Sequence, residues 1–185
     1  MGPQVKFTDR LRLVVENEIN ADKVLALYLR NRDNFEDFEP TRPAGFYTAE
    51  YHKHVLKREY KAYILGSFVR YYIYLKEDPK TIIGSVNFNF FNDGPHRKAE
   101  IGYKVDSAYQ NRGIAYEACI CCMDIIKNDY GIRRFDARIH PANSSSIKLA
   151  EKLGFKPICL EPQSANIRGR YVDLYRYSIT MSDSQ

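Results

Sequence analysis

The sequence predicts an α/β domain with a mixed central sheet of about seven strands and helices on both faces. Three observations lead there. Three strand-like segments stand between residues 67 and 106, the first rich in aromatic and β-branched residues and the other two alternating with period two, as a meander does. Helix-length apolar patterns stand before the meander and, interleaved with strands, after it. A strand–helix–strand unit around "QNRGIA" implies one parallel pair with a right-handed crossover. The chain has 185 residues, with no repeat and no linker rich enough to split it. It is expected to be one domain, 1–185, with its core over about 8–180.

In order, residues 10–19 read as a strand, with Leu11, Leu13 and Val15 alternating against polar neighbours. Asn20 stands where a cap would start a helix over 21–30. "NRDNFEDFEPTRPAGF" has two prolines and a glycine, so it is irregular or only briefly helical. Thr48 caps a helix that ends before Gly66. Strands follow over 67–76, 81–91 and 98–106, with "EDPK" and "FNDGPH" as turns. The first of these is Tyr-rich and reads as core. The third puts Ala99, Ile101, Tyr103 and Val105 on one face and Glu100, Gly102 and Lys104 on the other. A nearly all-apolar helix over 113–128 is expected to be buried almost all round. A strand over 134–140, a helix over 143–153 and strands over 155–160 and 171–180 complete the chain. "EPQSANIRGR" reads as the loop between the last two strands, and 182–185 as a loose tail.

Composition narrows the function classes. Hydrophobic residues are 44% and charged residues 28%, as in a soluble globular chain, and no apolar run is long enough to span a membrane. Lys6, Asp9 and Arg10 interrupt any signal-peptide pattern. The four cysteines do not form a secreted disulfide framework, so a reducing cytoplasm with buried thiols is expected. The net charge of +5 is scattered, and no direct nucleic-acid partner is expected from it.

"DSAYQNRGIAYEA" turns from a strand into a helix through a glycine. Free N–H groups and partial positive charge at a helix start suit a phosphate, and Arg112 adds a cation. A plain strand-to-helix turn accounts equally well for six residues taken alone. No Gly-Lys-Ser/Thr follows, so this is not a Walker A loop, and it is not a GxGxxG fingerprint.

The flanks decide between the two. With "AEIGYKVD" before it and "HPANSSSIKLAEKLGF" after it, the segment resembles the GNAT superfamily of acetyl-CoA-dependent N-acetyltransferases. The family's loop matches Gln110, Gly113 and Ala115, its helix start Asn143 and Ser146, and its "KLGF" helix end residues 152–155. "RNRDNFEDFEPTRP" and "AEKLGF" further resemble the RimJ/RimL-type branch, especially ribosomal-protein alanine acetyltransferases.

The resemblance implies acetyl-CoA as cofactor, lying in a V between the fourth and fifth expected strands. It implies that backbone groups of Tyr103, Lys104 and Val105 pair with the pantetheine arm. Gln110, Asn111, Arg112, Gly113, Ile114 and Ala115 would cradle the pyrophosphate, with Asn143 and Ser146 beside the thioester. The acceptor amine would attack directly. Glu100 is the candidate base, through water, or else a salt-bridged strand residue. Ser146 is the candidate for the departing thiolate, or else an ordinary first-turn serine. Many relatives place a tyrosine on this helix where this chain has Ala150. Glu39, with Glu36 and Asp37, would attract a cationic acceptor, or else forms a solvated loop. Glu39 and Glu100 are thus the expected acceptor-binding residues, and no metal is expected.

The expected acceptor is the α-amine of a protein N-terminus, possibly ribosomal. A polyamine, amino sugar or antibiotic is the rival acceptor, and a non-catalytic acyl-CoA- or RNA-binding module the rival class. Cys119, Cys121 and Cys122 read as packing, while His96 and His140 read as surface or strand residues.

Overall fold

The computed structural model describes residues 4–91 and 97–182. His96 and most of the "FNDGPH" turn lie outside them. Eight strands form one sheet in the order β1-β2-β3-β4-β5-β6-β8-β7. They are β1 (Val5–Phe7), β2 (Leu11–Val14), β3 (Phe68–Leu75), β4 (Gly84–Phe91), β5 (Lys98–Val105), β6 (Arg134–Ile139), β7 (Lys156–Ile167) and β8 (Arg170–Thr180). Every neighbouring pair is antiparallel except β5–β6. The sheet thus has one strand more than expected. β1 is three residues long, too short to show an alternation, and it shifts the parallel pair to fifth and sixth place.

The period-two pattern becomes two cores. Leu11, Leu13, Tyr71, Ile73, Val86, Phe88 and Phe135 face α4 (Ile114–Tyr130) and α5 (Ser144–Lys152). Val14, Tyr72 and Tyr74 face α1 (Ala21–Arg30) and α3 (Ala49–Ile64). Tyr71, Tyr72, Ile73 and Tyr74 are all fully buried because β3 is central and covered on both faces. α4 is buried as expected, apart from a stripe through Ile120 and Asp124.

Local capping corrects some boundaries. The strand expected over 10–19 stops at Val14, and a 3-10 turn (Glu18–Asn20) follows, capped by Asn17, whose side chain accepts from Ile19 N–H. Asn20 makes no side-chain cap; its amide donates to Glu16 instead, at 2.6 Å. Thr48 caps α3 as expected, accepting from Tyr51 N–H at 3.2 Å. The Pro-bearing segment contains α2 (Arg32–Glu36).

The largest correction is "EPQSANIRGR", which is not a loop. β7 and β8 continue through it as a bulged hairpin, Ile167 pairs with Arg170, and Arg168 and Gly169 make the two-residue tip with φ of +50° and +78°. That tip holds the 37–41 segment: Thr41 N–H donates to Asn166 O at 3.0 Å, and Arg168 pairs with Asp37 at 2.7 Å. Cys119 and Cys122 are buried as expected, but Cys159, on edge strand β7, is exposed. Among the described residues no helix is long and apolar enough to cross a membrane.

Candidate active site

β5 and β6 pair over three residues, Lys98 with Arg134, Ala99 with Phe135 and Glu100 with Asp136. Beyond Glu100 the strands splay and leave a wedge between Ile101–Val105 and Ala137–Ile139. β4 supports the β5 arm along its other edge. Gly102 leaves room there: a Cβ would lie 3.0 Å from Asn87 Oδ1, so a larger residue would press on the Asn87 amide that lies across the strand. Buried Asp106 pins the end of the arm, accepting from Ala108 N–H at 3.0 Å and from Arg30 Nε at 3.1 Å. Asn31 Oδ1 accepts from Ser107 N–H at 2.8 Å.

The chain then turns into α4 through two left-handed residues, Asn111 (φ +59°) and Gly113 (φ +76°). Gly113 is the N-cap and supplies no side chain. The first helical bond runs from Glu117 N–H to Gly113 O, so the N–H groups of Ile114, Ala115 and Tyr116 point out of the helix start. Gln110 Nε2 donates to Val105 O at 3.2 Å, tying the loop to the arm.

A clamp braces the loop from behind. Glu117 accepts from Thr8 Oγ1, from Arg10 N–H at 3.1 Å and from Arg10 Nε at 2.7 Å, while Arg10 Nη1 donates to Arg112 O at 3.0 Å. Burial pushes the Glu117 carboxyl up, but the Thr8 and Arg10 hydrogen bonds outweigh it and hold the group below its usual range. The Arg112 guanidinium lies over the Tyr109 ring, 5.4 Å from its centroid.

α5 forms the opposite wall. Asn143 caps it, Oδ1 accepting from Ser146 N–H at 3.1 Å. Tyr103 reaches across from β5, and its hydroxyl donates to Ser146 O at 2.9 Å. Burial pushes the Tyr103 phenol well above its usual pKa, so it stays protonated. His140 stands at the end of the β6 arm, its Nδ1 accepting from Ala142 N–H at 3.1 Å and its ring 5.7 Å from that of Phe38.

Wedge, loop and α5 enclose a cleft of about 760 Å³, within the range of small-molecule sites. Glu39, Tyr103, Lys104, Val105, Gln110, Asn111, Gly113, Ile114, Ala115, Asn143 and Ser146 line it together. Glu100 and Arg112 stand at its borders rather than in its lining. Sequence reading missed Arg70, Asn87, Arg138 and His140, which also line it. Alternation along β3 and β4 could have put Arg70 and Asn87 on the face of Gly102, but strand order could not be read from spacing.

The carboxylates expected to meet an acceptor each have a cationic partner already. Glu39 pairs with Lys104 at 2.6 Å and Arg42 at 2.5 Å; burial pushes its pKa up, but these two cations hold it below the usual value. Asp37 pairs with Arg168. Glu100 meets Arg138 through both oxygens, at 2.9 Å and 3.0 Å. Two lone-pair positions remain on Glu100 for other donors. Among the described residues no cluster of three or more His, Cys, Asp or Glu is placed to hold a metal.

A splayed parallel pair leads into a glycine-capped helix at the mouth of this cleft, and the family comparison identifies the class of protein. Residues 10–156 match the acetyltransferase (GNAT) domain model, and the chain belongs to this family of acyltransferases. GNAT acetyltransferases use acetyl-CoA. The chain is similar to a ribosomal protein uS5-alanine N-acetyltransferase of Escherichia coli (strain K12), at 26% identity covering 98% of this chain and 93% of that one. Its fold matches the crystal structure of a ribosomal-protein-S5-alanine acetyltransferase from Vibrio fischeri, with a TM-score of 0.89, 23% identity and 97% and 98% of the two chains covered. It also matches the ribosomal L7/L12 α-N-protein acetyltransferase RimL in complex with coenzyme A, with a TM-score of 0.86, 20% identity and 96% and 98% covered.

Proposed function

We propose that this chain transfers acetyl from acetyl-CoA to a primary amine, preferably the α-amine of a protein N-terminus, by direct attack in a ternary complex. The observation that carries the reading is the wedge between β5 and β6, ending at a glycine-capped helix start whose left-handed loop residues line it. Its fit to the cofactor is structural. The β5 edge facing the wedge has no strand partner beyond Glu100, and the Gly113 cap puts no side chain over the helix start.

When bound, acetyl-CoA supplies an activated acetyl thioester. The N–H groups of Asn111 to Ala115 would hold the pyrophosphate, with Arg112 nearby as a cation. The backbone of Tyr103–Val105 would hold the pantetheine arm. Glu100, fixed in orientation by Arg138, would take the amine's proton through water. The Ser146 hydroxyl, on a helix turn capped by Asn143, would serve the departing thiolate.

For the acceptor, the paired state of Asp37 and Glu39 supports a single amine over a polycation. An acidic pocket selecting a polycation needs carboxylates free to meet it, and here each already has a cation. A single amine on a peptide needs no such excess. The similarity to ribosomal-protein acetyltransferases supports the same choice, and with it a cytoplasmic reaction.

The test is acetylation of N-terminal peptides with alanine or serine first, run beside spermidine, amino sugars and aminoglycosides, with thiol release followed. Peptide turnover well above the small amines is expected. Preferential turnover of a polyamine would overturn the acceptor assignment, and no binding of acetyl-CoA by calorimetry would overturn the whole reading.

A further inference from the structure

Ser146 is held through both of its backbone groups. Asn143, the N-cap of its own helix, takes its N–H, and Tyr103, on the β5 arm, donates to its carbonyl at 2.9 Å. α5 itself packs chiefly on β6 and α4. Tyr103 therefore supplies a hydrogen bond that crosses the opening, from the strand that swings away to the helix that stays with β6. The phenol is sheltered from water, with buried Cys119 beside it. The backbone of this residue faces the wedge edge while its side chain turns toward α4 and α5, so its two ends do separate jobs.

We propose that Tyr103 is a positioning residue of the transfer site: its hydroxyl ties the β5 arm to the first turn of α5 and so fixes where the Ser146 hydroxyl stands. The inference rests on the Ser146 role proposed above. Ser146 is short, and its oxygen's position follows its own backbone. Its N–H is held by the cap of its own helix and its carbonyl by the β5 arm, so any widening of the wedge would carry α5, and the hydroxyl with it, away from β5. The Tyr103 bond holds that width constant while the cleft fills, as transition-state stabilisation by a fixed donor requires.

The experiment is a double-mutant cycle on Tyr103→Phe and Ser146→Ala, with steady-state kinetics, coenzyme A calorimetry and amide hydrogen exchange over residues 143–149. Tyr103→Phe keeps the ring and removes one hydrogen bond. Its kcat is expected to fall about tenfold, the change one lost bond of about 1 kcal/mol or slightly more produces. Coenzyme A affinity should stay within about twofold, because the loop N–H groups are untouched. In the Ser146→Ala background the same change should alter kcat less than twofold, since its effect passes through Ser146. Exchange over 143–149 should quicken without coenzyme A. Wild-type kcat in Tyr103→Phe, or losses that simply add, would overturn the proposal. Wild-type kcat in Ser146→Ala would remove the Ser146 role and this inference with it. If the chain binds coenzyme A but acetylates no amine, the function reading fails and takes the positioning role with it, whereas unchanged exchange over 143–149 in an active enzyme overturns this inference alone.

Discussion

Replacing Gly113 with valine puts the cofactor cradle to its most direct test. Gly113 sits at φ +76°, and an added Cβ would lie 3.5 Å from Arg10 Nη2, an ordinary contact. Space is therefore not the first obstacle; backbone conformation is. Holding a non-glycine residue in this region costs about 1–3 kcal/mol, with a β-branched side chain toward the upper end. That is small beside the roughly 5–15 kcal/mol of a typical domain, so the chain should stay folded.

The strain is relieved if residue 113 leaves the left-handed region. This swings the 110–113 turn off the helix start, and the valine methyls press on the Arg10 clamp. Losing two N–H contacts to a phosphate, at about 1.5–3 kcal/mol each, weakens coenzyme A binding by roughly a hundredfold or more. Calorimetry with coenzyme A measures the binding and urea unfolding the stability. Gly131→Val is the control: Gly131 caps the other end of α4 at φ +67° with nothing within 4 Å of an added Cβ. It should lose similar stability and keep its affinity. Wild-type coenzyme A affinity in a folded Gly113→Val would refute the cradle.

Two further outcomes are expected. Glu100→Gln should lower turnover most at low pH, where the amine is charged, and leave acetyl-CoA affinity alone; a pH–rate profile parallel to wild type would remove Glu100 from the base role. His52 is buried and stacks on Tyr28 at 5.1 Å, and burial first, then the charges of Arg42 and Arg70, lower its pKa to about 4. Unfolded, it titrates near 6.5, so the unfolded state takes the proton first. Stability is then whole above about pH 6.5 and falls as the pH drops toward about 4, by about 2 kcal/mol at pH 5. His52→Phe should flatten that fall between pH 7 and pH 5 in urea unfolding, and an unchanged slope would contradict the assignment.

Local pattern made much of this legible. Alternation along Ala99–Val105 gave the arm its two faces, and glycine between "QNR" and "IAYEA" marked the helix start. What escaped was long-range or too short to show a period. The Arg10–Glu117 clamp joins residues 107 apart. Glu100 is sequence-visible as a carboxylate, but its bidentate hold on Arg138 exists only because two strands 38 residues apart converge. The β7–β8 hairpin was hidden because proline, glycine and polar residues spell a loop, while its bulges and Arg168-Gly169 tip let strands carry them. The acidic run at 36–39 read as either a lure for cations or a solvated loop; Arg42 stands only three residues from Glu39, but the pairing with Lys104 and Arg168 could be seen only once β5 and the hairpin tip were placed beside it.

The three-pair ladder between β5 and β6 has a mechanical consequence. Five strands lie on one side of this seam and three on the other, so the sheet is two plates stitched at Lys98–Glu100, with α4, α5 and the Tyr103 bond as braces. An extended ligand in the wedge bonds to the edge of one plate and is walled by the other, in the place of the missing ladder. It then acts as a keystone: the load the seam carries at three residues is shared along the whole arm. Resistance to shearing should therefore rise with ligand occupancy, and rise most across this seam.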